Sequence, residues 1–593
     1  MQQFLISLFF LLLPLTSAFA IELDIIYQSP QPGAKYCTRE ETIILSVFEK
    51  IESSSLDSTL ISVTGSISGT HTGMLFLSSD AETIIFKPDN PFVYSESINV
   101  IIQSGMRTTR GDIIKGRTFS FSIRDESISD NSFDYSTGRT SIPQKDMEYN
   151  LFPQNYSRGI NSSVTITNST NPSYGKIFIS GFPFGPQTYT PYLSIIDNSG
   201  AVAHSIESNS TSLDFKKHKN GTYSFFNGFS NSYIILDSKF DPIDTVGCGN
   251  GYETDGHELI ILDNGHMLVM SYDSTKVDMS TIVPGGHPGA SVIGLVIQEL
   301  DKEKNVVYQW RSWEEMEITD ASSSIDLTQQ KLDPIHGNSI ERDYDGHLLI
   351  SSRHLDEITK LDRRTGKIIW RLGGKKNEFT FINDPERFSY QHDARRVAPG
   401  RILLFDNGNY HSPPYSRAIE YELNEITKTA KLVWEFNHNK EVYGFAMGNA
   451  QRLSNGNTLI CWGATQPNVT EVNPLGQIVF EMSLEPGLFS YRAFRYPYNE
   501  SDSPYPNSFV LNQNYPNPFN PTTVITFNVP QAGKVSLKVY DILGREVAEL
   551  ANREFQAGDH FVTFSGESLT SGVYFYSLSS GNVVETKRML LLK

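Results

Sequence analysis

The sequence predicts an all-β protein, a six-bladed β-propeller carried between two β-sandwiches. Three observations predict it. Short apolar runs alternate with turn residues throughout a chain holding 43 Gly and 29 Pro. A Gly-centred unit recurs six times through the centre. Both ends alternate apolar and polar residues, the pattern of strands with one buried face. At 593 residues the chain exceeds what one core organises, so roughly two to four domains are expected. A formal net charge of −18 speaks against nucleic acid and anionic membrane surfaces as general partners.

Residues 1–20 read as a signal peptide, with an apolar stretch from Phe4 to about Leu15 and then Ala18-Phe19-Ala20. That stretch is too short for a membrane span and nothing later resembles one, so an exported, soluble mature protein without a transmembrane segment is expected. Cys37, Cys248 and Cys461 are too few and too far apart to suggest a disulfide framework or a zinc cluster. Residues 21–124 carry strand-like runs such as "ETIILSVFEK", "ETIIFKP" and "ESINVIIQSG", which predict an immunoglobulin-like β-sandwich. The Ser-, Asn- and Asp-rich stretch 125–170 reads as a linker.

Residues 171–497 hold the repeat. Its units begin "YGKIFIS", "KNGTYSFF", "DNGHMLVM", "YDGHLLIS", "APGRILLF" and "SNGNTLIC", with turn glycines Gly175, Gly221, Gly265, Gly346, Gly400 and Gly456. Several short strands per unit predict propeller blades, and the long insertions favour closed blades over an elongated solenoid. Alignment on the glycine puts His257, His336, His392 and Asn449 seven to ten residues before it. Tyr272, Arg353 and Asn407 each fall seven residues after it. Equivalent positions in a propeller ring the axis, so these side chains are expected to converge at one mouth. A lone buried histidine is usually structural. Three at matched positions beside an arginine are not easily read that way. His354 and His411 read as loop or blade-edge residues, and Asp393 as either an orienting group or a strand-edge carboxylate. After a short linker, 498–507, residues 508–593 alternate strands and Gly turns and predict a second sandwich.

From about 170 to 497 the chain resembles the arylsulfotransferase family, the aryl-sulfate sulfotransferases that need no nucleotide donor. The likeness rests on "DGHELIILDNGHML", "HGNSIERDYDGHLLISSRH", "KLDRRTGKIIWRLGGKKNEFTF", "FSYQHDARRV", "ILLFDNGN", "GNAQRLSNGNTLICWG" and "SYRAFRYP", which occur in order. The resemblance implies a six-bladed propeller that moves a sulfuryl group from a phenolic sulfate ester to a phenolic acceptor through a histidine nucleophile. By motif the nucleophile is His392, His257 is a further active-site histidine, and His336, Asn338 and Arg353 form the sulfate-binding group. No cofactor and no metal are implied. The C-terminal module resembles the type A sorting domain of the type IX secretion system, through "NYPNPFNPTT", "VYDILGREV", "LTSGVYFY" and "KRMLLLK". That likeness implies the type IX machinery as a partner, with passage through the periplasm to a secreted or cell-surface location.

The chemistry asks for these residue types. Sulfuryl transfer, like phosphoryl transfer, passes through a group with attacking and leaving atoms in line. A neutral imidazole can take the group and release it. Arg353, His336 and Asn338 supply charge and donors for the sulfuryl oxygens. His257 or His336 can handle the proton of the phenol. Tyr272 and Tyr390 are aromatic candidates for holding the aryl ring, with Asn407 and Asn449 as further substrate contacts. Two other readings compete. Three histidines could hold Zn²⁺ or Cu²⁺ in a metal-dependent hydrolase or lyase. A non-catalytic surface propeller would need none of this set.

Overall fold

The computed structural model of the chain describes residues 21–125, 164–183, 191–207, 210–497, 509–514, 517–529, 533–555, 558–581 and 583–593. The signal peptide, most of the 125–170 linker and the 498–507 linker lie outside them. Among the described residues nearly all regular structure is β, with one α-helix of four residues, Ser312–Glu315, and a few three-residue 3-10 turns. Among the described residues no helix is long and apolar enough to cross a membrane.

The N-terminal unit packs two four-stranded sheets against each other around Val63, Phe86, Ile98, Val100 and Phe121. Its strands alternate as sandwich strands must: Ile61–Gly65 and Ser97–Ile102 bury every second residue. This unit is joined tightly to the centre. Tyr27 stacks on Tyr308 at 4.8 Å, and its hydroxyl donates to the Gln309 carbonyl at 2.8 Å. Arg311 donates to the carbonyls of Lys35 and Tyr36 at 2.9 and 3.1 Å.

Among the described residues the centre contains six mainly antiparallel sheets of four or five strands, each formed mainly by consecutive strands, with a parallel edge strand in two of them. Strands such as Tyr192–Ile196, Ala290–Leu300 and Glu357–Leu361 are buried along their whole length, because sheet packs on sheet at both faces. The six repeat glycines all lie just before the second strand of a sheet, with φ between +72° and +109°, the left-handed region that a side chain rarely enters. The sequence alignment therefore marks one structural position. The ends of the region interlock. Leu488–Tyr496 supplies the inner strand to Lys176–Pro183, and Thr165–Ser169 supplies the outer strand to Ile478–Ser483. Thr165–Ser169 falls in the stretch read as linker. The sheet region thus begins before residue 171, with a polar strand whose partner lies more than 300 residues away.

Inner strands of five sheets meet in one buried charge cluster. Glu258 pairs with Lys216, Arg395 and Arg492; Arg492 also reaches Asp214 at 2.9 Å, and Arg395 reaches Asp393 at 2.5 Å. Arg492 and Arg395 further donate to the carbonyls of Asn338 and Ile340 at 2.7 and 2.9 Å. Asp393, left open between two roles, belongs to this cluster. Buried charges need such pairing, and loss of one partner leaves another stranded.

The C-terminal unit is a sandwich of a three-stranded and a four-stranded sheet with its own core of Phe527, Val535, Leu537, Tyr576 and Met589.

Candidate active site

Three adjacent sheets begin their inner strands with the aligned histidines. His257 and His336 immediately precede or adjoin Leu259–Ile261 and Gly337–Arg342, and His392 opens His392–Ala398. Tyr272 lies in the second strand of the first of these sheets, while Arg353 and Asn407 directly follow the second strands of the next two. The side chains meet. His257 and His336 have ring centroids 5.3 Å apart, and Tyr272 lies 5.5 Å from each. Tyr491 closes the group at 5.4 Å from His257. His336, Tyr390 and Asp393 all have positive φ (49°, 56° and 56°) without being glycine. Such backbone persists where the surroundings enforce it, commonly at functional sites.

His392 is only 3% exposed, so its polar atoms must be satisfied internally. Its Nδ1 lies 2.7 Å from Asn407 Oδ1 and 3.0 Å from the Tyr390 carbonyl. Asn407 donates through Nδ2 to the carbonyls of Gly444 and Met447 at 2.6 and 3.0 Å, which fixes its Oδ1 toward the histidine. Two acceptors facing Nδ1 require the proton there. The lone pair is then on Nε2. Burial, then the Arg353 cation, then His336 and His257 hold this imidazole well below the ordinary histidine pKa, against the opposing Asn407 bond. His392 is neutral near pH 7, with Nε2 nucleophilic.

His336 Nδ1 donates to the Asp333 carboxylate at 2.6 Å, and His257 Nδ1 to Asp255 at 2.5 Å. Each carboxylate also accepts its own histidine's backbone N–H, at 3.1 and 2.9 Å. Burial depresses the His336 pKa well below the usual range, with His257 and Arg353 adding. Its Nε2 is therefore in the state that accepts a proton.

Arg353 is placed by three neighbours. Nη1 donates to His354 Nε2 at 2.7 Å, Nη2 to the Phe445 carbonyl at 3.1 Å, and the guanidinium lies 4.1 Å above the Tyr390 ring. His354 lies on a turn between two strands, as read, but sits 4.6 Å from His336 and so belongs to the site. His411 does not join this group; its Nδ1 donates to the Tyr415 carbonyl at 2.9 Å.

The aligned asparagines divide. Asn449 is fully buried, and its amide clamps Ala493, donating to the carbonyl at 3.0 Å and accepting the N–H at 2.9 Å. It ties two inner strands together with both ends of its amide engaged, a structural role in place of the expected substrate contact. Asn338 is also fully buried, with Nδ2 on the carbonyl of Gln391, the residue before His392, at 2.8 Å, and with Oδ1 left without a partner among the described residues. Asn407 acts on the imidazole. Tyr272 donates its hydroxyl to the Gly337 carbonyl and presents its ring to both histidines. Asp255, Asp333 and Tyr491 escaped the sequence reading, and His354 was read without a role in the site. The spacings Asp-x-His and Asp-x-x-His were a usable signal for the two carboxylates.

Asp333, His336 and His354 offer ligand atoms within 4.8 Å of one another, close enough for a cation. Yet both ring nitrogens of His354 are engaged, Nδ1 on the Asp333 carbonyl at 2.6 Å and Nε2 on Arg353. A cation there would sit against a guanidinium. The donor set suits an anion.

A family model described as arylsulfotransferase (ASST) matches residues 145–492, more than half of the chain. A second, described as secretion system C-terminal sorting domain, matches residues 513–592. No curated protein matches. Two solved structures are distantly similar. A protein of unknown function from Bacteroides caccae has 14% identity and a TM-score of 0.34 over 54% of this chain and 98% of its own. A catalytically inactive virginiamycin B lyase from Staphylococcus aureus has 10% identity and a TM-score of 0.27 over 55% and 97%. These likenesses carry no argument about function.

Proposed function

The chain belongs to the arylsulfotransferase family, and on that premise we propose that it transfers a sulfuryl group from a phenolic sulfate ester to a phenol through a sulfohistidine at His392. The observation that carries this reading is the His392–Asn407 bond, which leaves the Nε2 lone pair available beside an arginine. In the first step Nε2 forms an N–S bond as the S–O bond to the aryl group breaks, the aryl oxygen leaving with the electron pair. In the second, a phenol oxygen forms the new S–O bond, its proton passes to His336 Nε2, and the N–S pair returns to His392. Arg353 binds the sulfuryl oxygens. Tyr272, Tyr390 and Tyr491 offer faces for the aryl rings. A chromogenic aryl sulfate with and without added phenol tests the reading. Release that depends on the phenol supports a transferase, whereas equal release without it makes the protein a sulfatase.

The depressed pKa of His392 has a testable sign. An imidazole of ordinary pKa near 6.5 would lose about tenfold of its neutral form between pH 7.5 and 5.5. Because the folded value lies well below that, the nucleophile remains neutral over this window. With a donor whose leaving phenol is acidic, the rate of enzyme sulfation in stopped flow is expected to change by less than about twofold. A tenfold fall centred near pH 6.5 contradicts the assignment.

The C-terminal module is a secretion sorting domain, so the protein is exported to the cell surface or beyond. Its core is separate from those of the six sheets. Deleting residues from 508 onward is expected to leave active protein in the periplasm, measured by fractionation and aryl sulfate turnover. Normal export of the truncated chain would refute the signal's role.

A further inference from the structure

We propose that His354 is the positioning residue for Arg353, and that Asp333 makes it so by fixing which ring nitrogen accepts. The inference rests on the proposed anion-binding role of Arg353 and deepens it. Asp333 serves two histidines at once. Its carboxylate takes the Nδ1–H of His336 at 2.6 Å, and its backbone carbonyl takes the Nδ1–H of His354 at 2.6 Å. A carbonyl can only accept, so the His354 proton is on Nδ1 and Nε2 carries a lone pair. That lone pair receives Arg353 Nη1 at 2.7 Å.

The ring itself is held from several sides. His336 packs against it at 4.6 Å and Tyr390 at 5.7 Å, and its carbonyl accepts the Ser322 N–H at 2.7 Å. The short turn Arg353–Leu355 keeps both residues together, ending on Asp356 with φ of 52°. Tyr390 and the Phe445 carbonyl fix the face and the far nitrogen of the guanidinium, and His354 fixes the near one. Arg353 Nε is buried with no partner among the described residues. The fork therefore arrives with its acceptors assigned and an edge left over, the arrangement needed to meet two oxygens of a tetrahedral anion. Burial holds His354 down to about pKa 3, in keeping with a ring that stays neutral against a cation. This is a neutral acceptor that orients a charge, distinct from a group that moves a proton.

The test uses the full-length chain with three variants. His354→Phe keeps a flat ring but removes the acceptor. His354→Gln restores a carbonyl that can accept from Nη1. Arg353→Lys removes the fork. Inorganic sulfate binding is measured by calorimetric titration against a chloride control, which does not require turnover. His354→Phe is expected to weaken sulfate binding about tenfold or more, and His354→Gln to recover most of it. In the Arg353→Lys background, His354→Phe is expected to cost less than about threefold further, because the two act as one unit. The pH profile of donor kcat/KM should keep its limbs in both His354 variants. Independent, additive losses overturn the proposal, as does disappearance of a pH limb in His354→Phe. A chain that binds sulfate with this coupling but never becomes sulfated leaves the positioning role standing and refutes the sulfohistidine mechanism.

Discussion

His392→Asn is expected to abolish sulfuryl transfer in a protein that remains folded. The substitution is chosen for its geometry. The Asn amide nitrogen comes close to where Nδ1 stood, so it can still donate to Asn407 Oδ1, while nothing replaces Nε2. Since the nucleophile is removed outright, turnover of an aryl sulfate should fall by ~10⁴-fold or more. Reading the side chain as channel-lining predicts an unchanged unfolding temperature. The structure corrects that: at 3% exposure the ring is packed, and trimming it costs about 1–2 kcal/mol. Calorimetry should therefore show a small drop in Tm beside the total loss of activity. Substantial remaining turnover would move the nucleophile elsewhere.

Arg353→Lys should produce the second-largest effect. Lysine retains one positive charge but cannot donate to His354 Nε2 and the Phe445 carbonyl, cover the Tyr390 ring and still meet two sulfuryl oxygens. Donors that are preorganised around developing charge are worth about 10²- to 10³-fold each, and a loss of that size in donor kcat/KM is expected. Phenol-dependent discharge of any enzyme already sulfated should slow as well, because the same oxygens are held in both steps. Near-normal kcat/KM in Arg353→Lys would return the residue to a purely structural role.

The sequence made the histidines legible for a physical reason. Each of the six sheets has a left-handed glycine just before its second strand, and that glycine sets the register of everything around it. Counting from it finds His257, His336, His392, Arg353, Tyr272 and Asn407, which the fold does bring together. The same count also finds Asn449, and there it misleads. Its neighbour across the seam is Ala493, carried on the last strand of the region, and a pairing made by chain closure leaves no local trace. Asn407 was found with the wrong task, since its orientation depends on carbonyls 37 and 40 residues away. His354 lies one place outside the aligned column and looked like loop. Only the turn after Ser352, which swings two successive side chains into the same space, makes it part of the site. The strand Thr165–Ser169 was hidden by its composition, because an outermost strand buries little and needs few apolar residues.

The central claim is that the sulfuryl group rests on one nitrogen of one histidine. Intact-mass measurement of the full chain, mixed with an aryl sulfate and no phenol, tests it most directly. One SO3 adduct is expected, mapping by peptide fragmentation to His392, absent from His392→Asn and removed when a phenol is added. An adduct on His257, His336 or His354, or rapid turnover with no adduct at any time after mixing, would contradict the account.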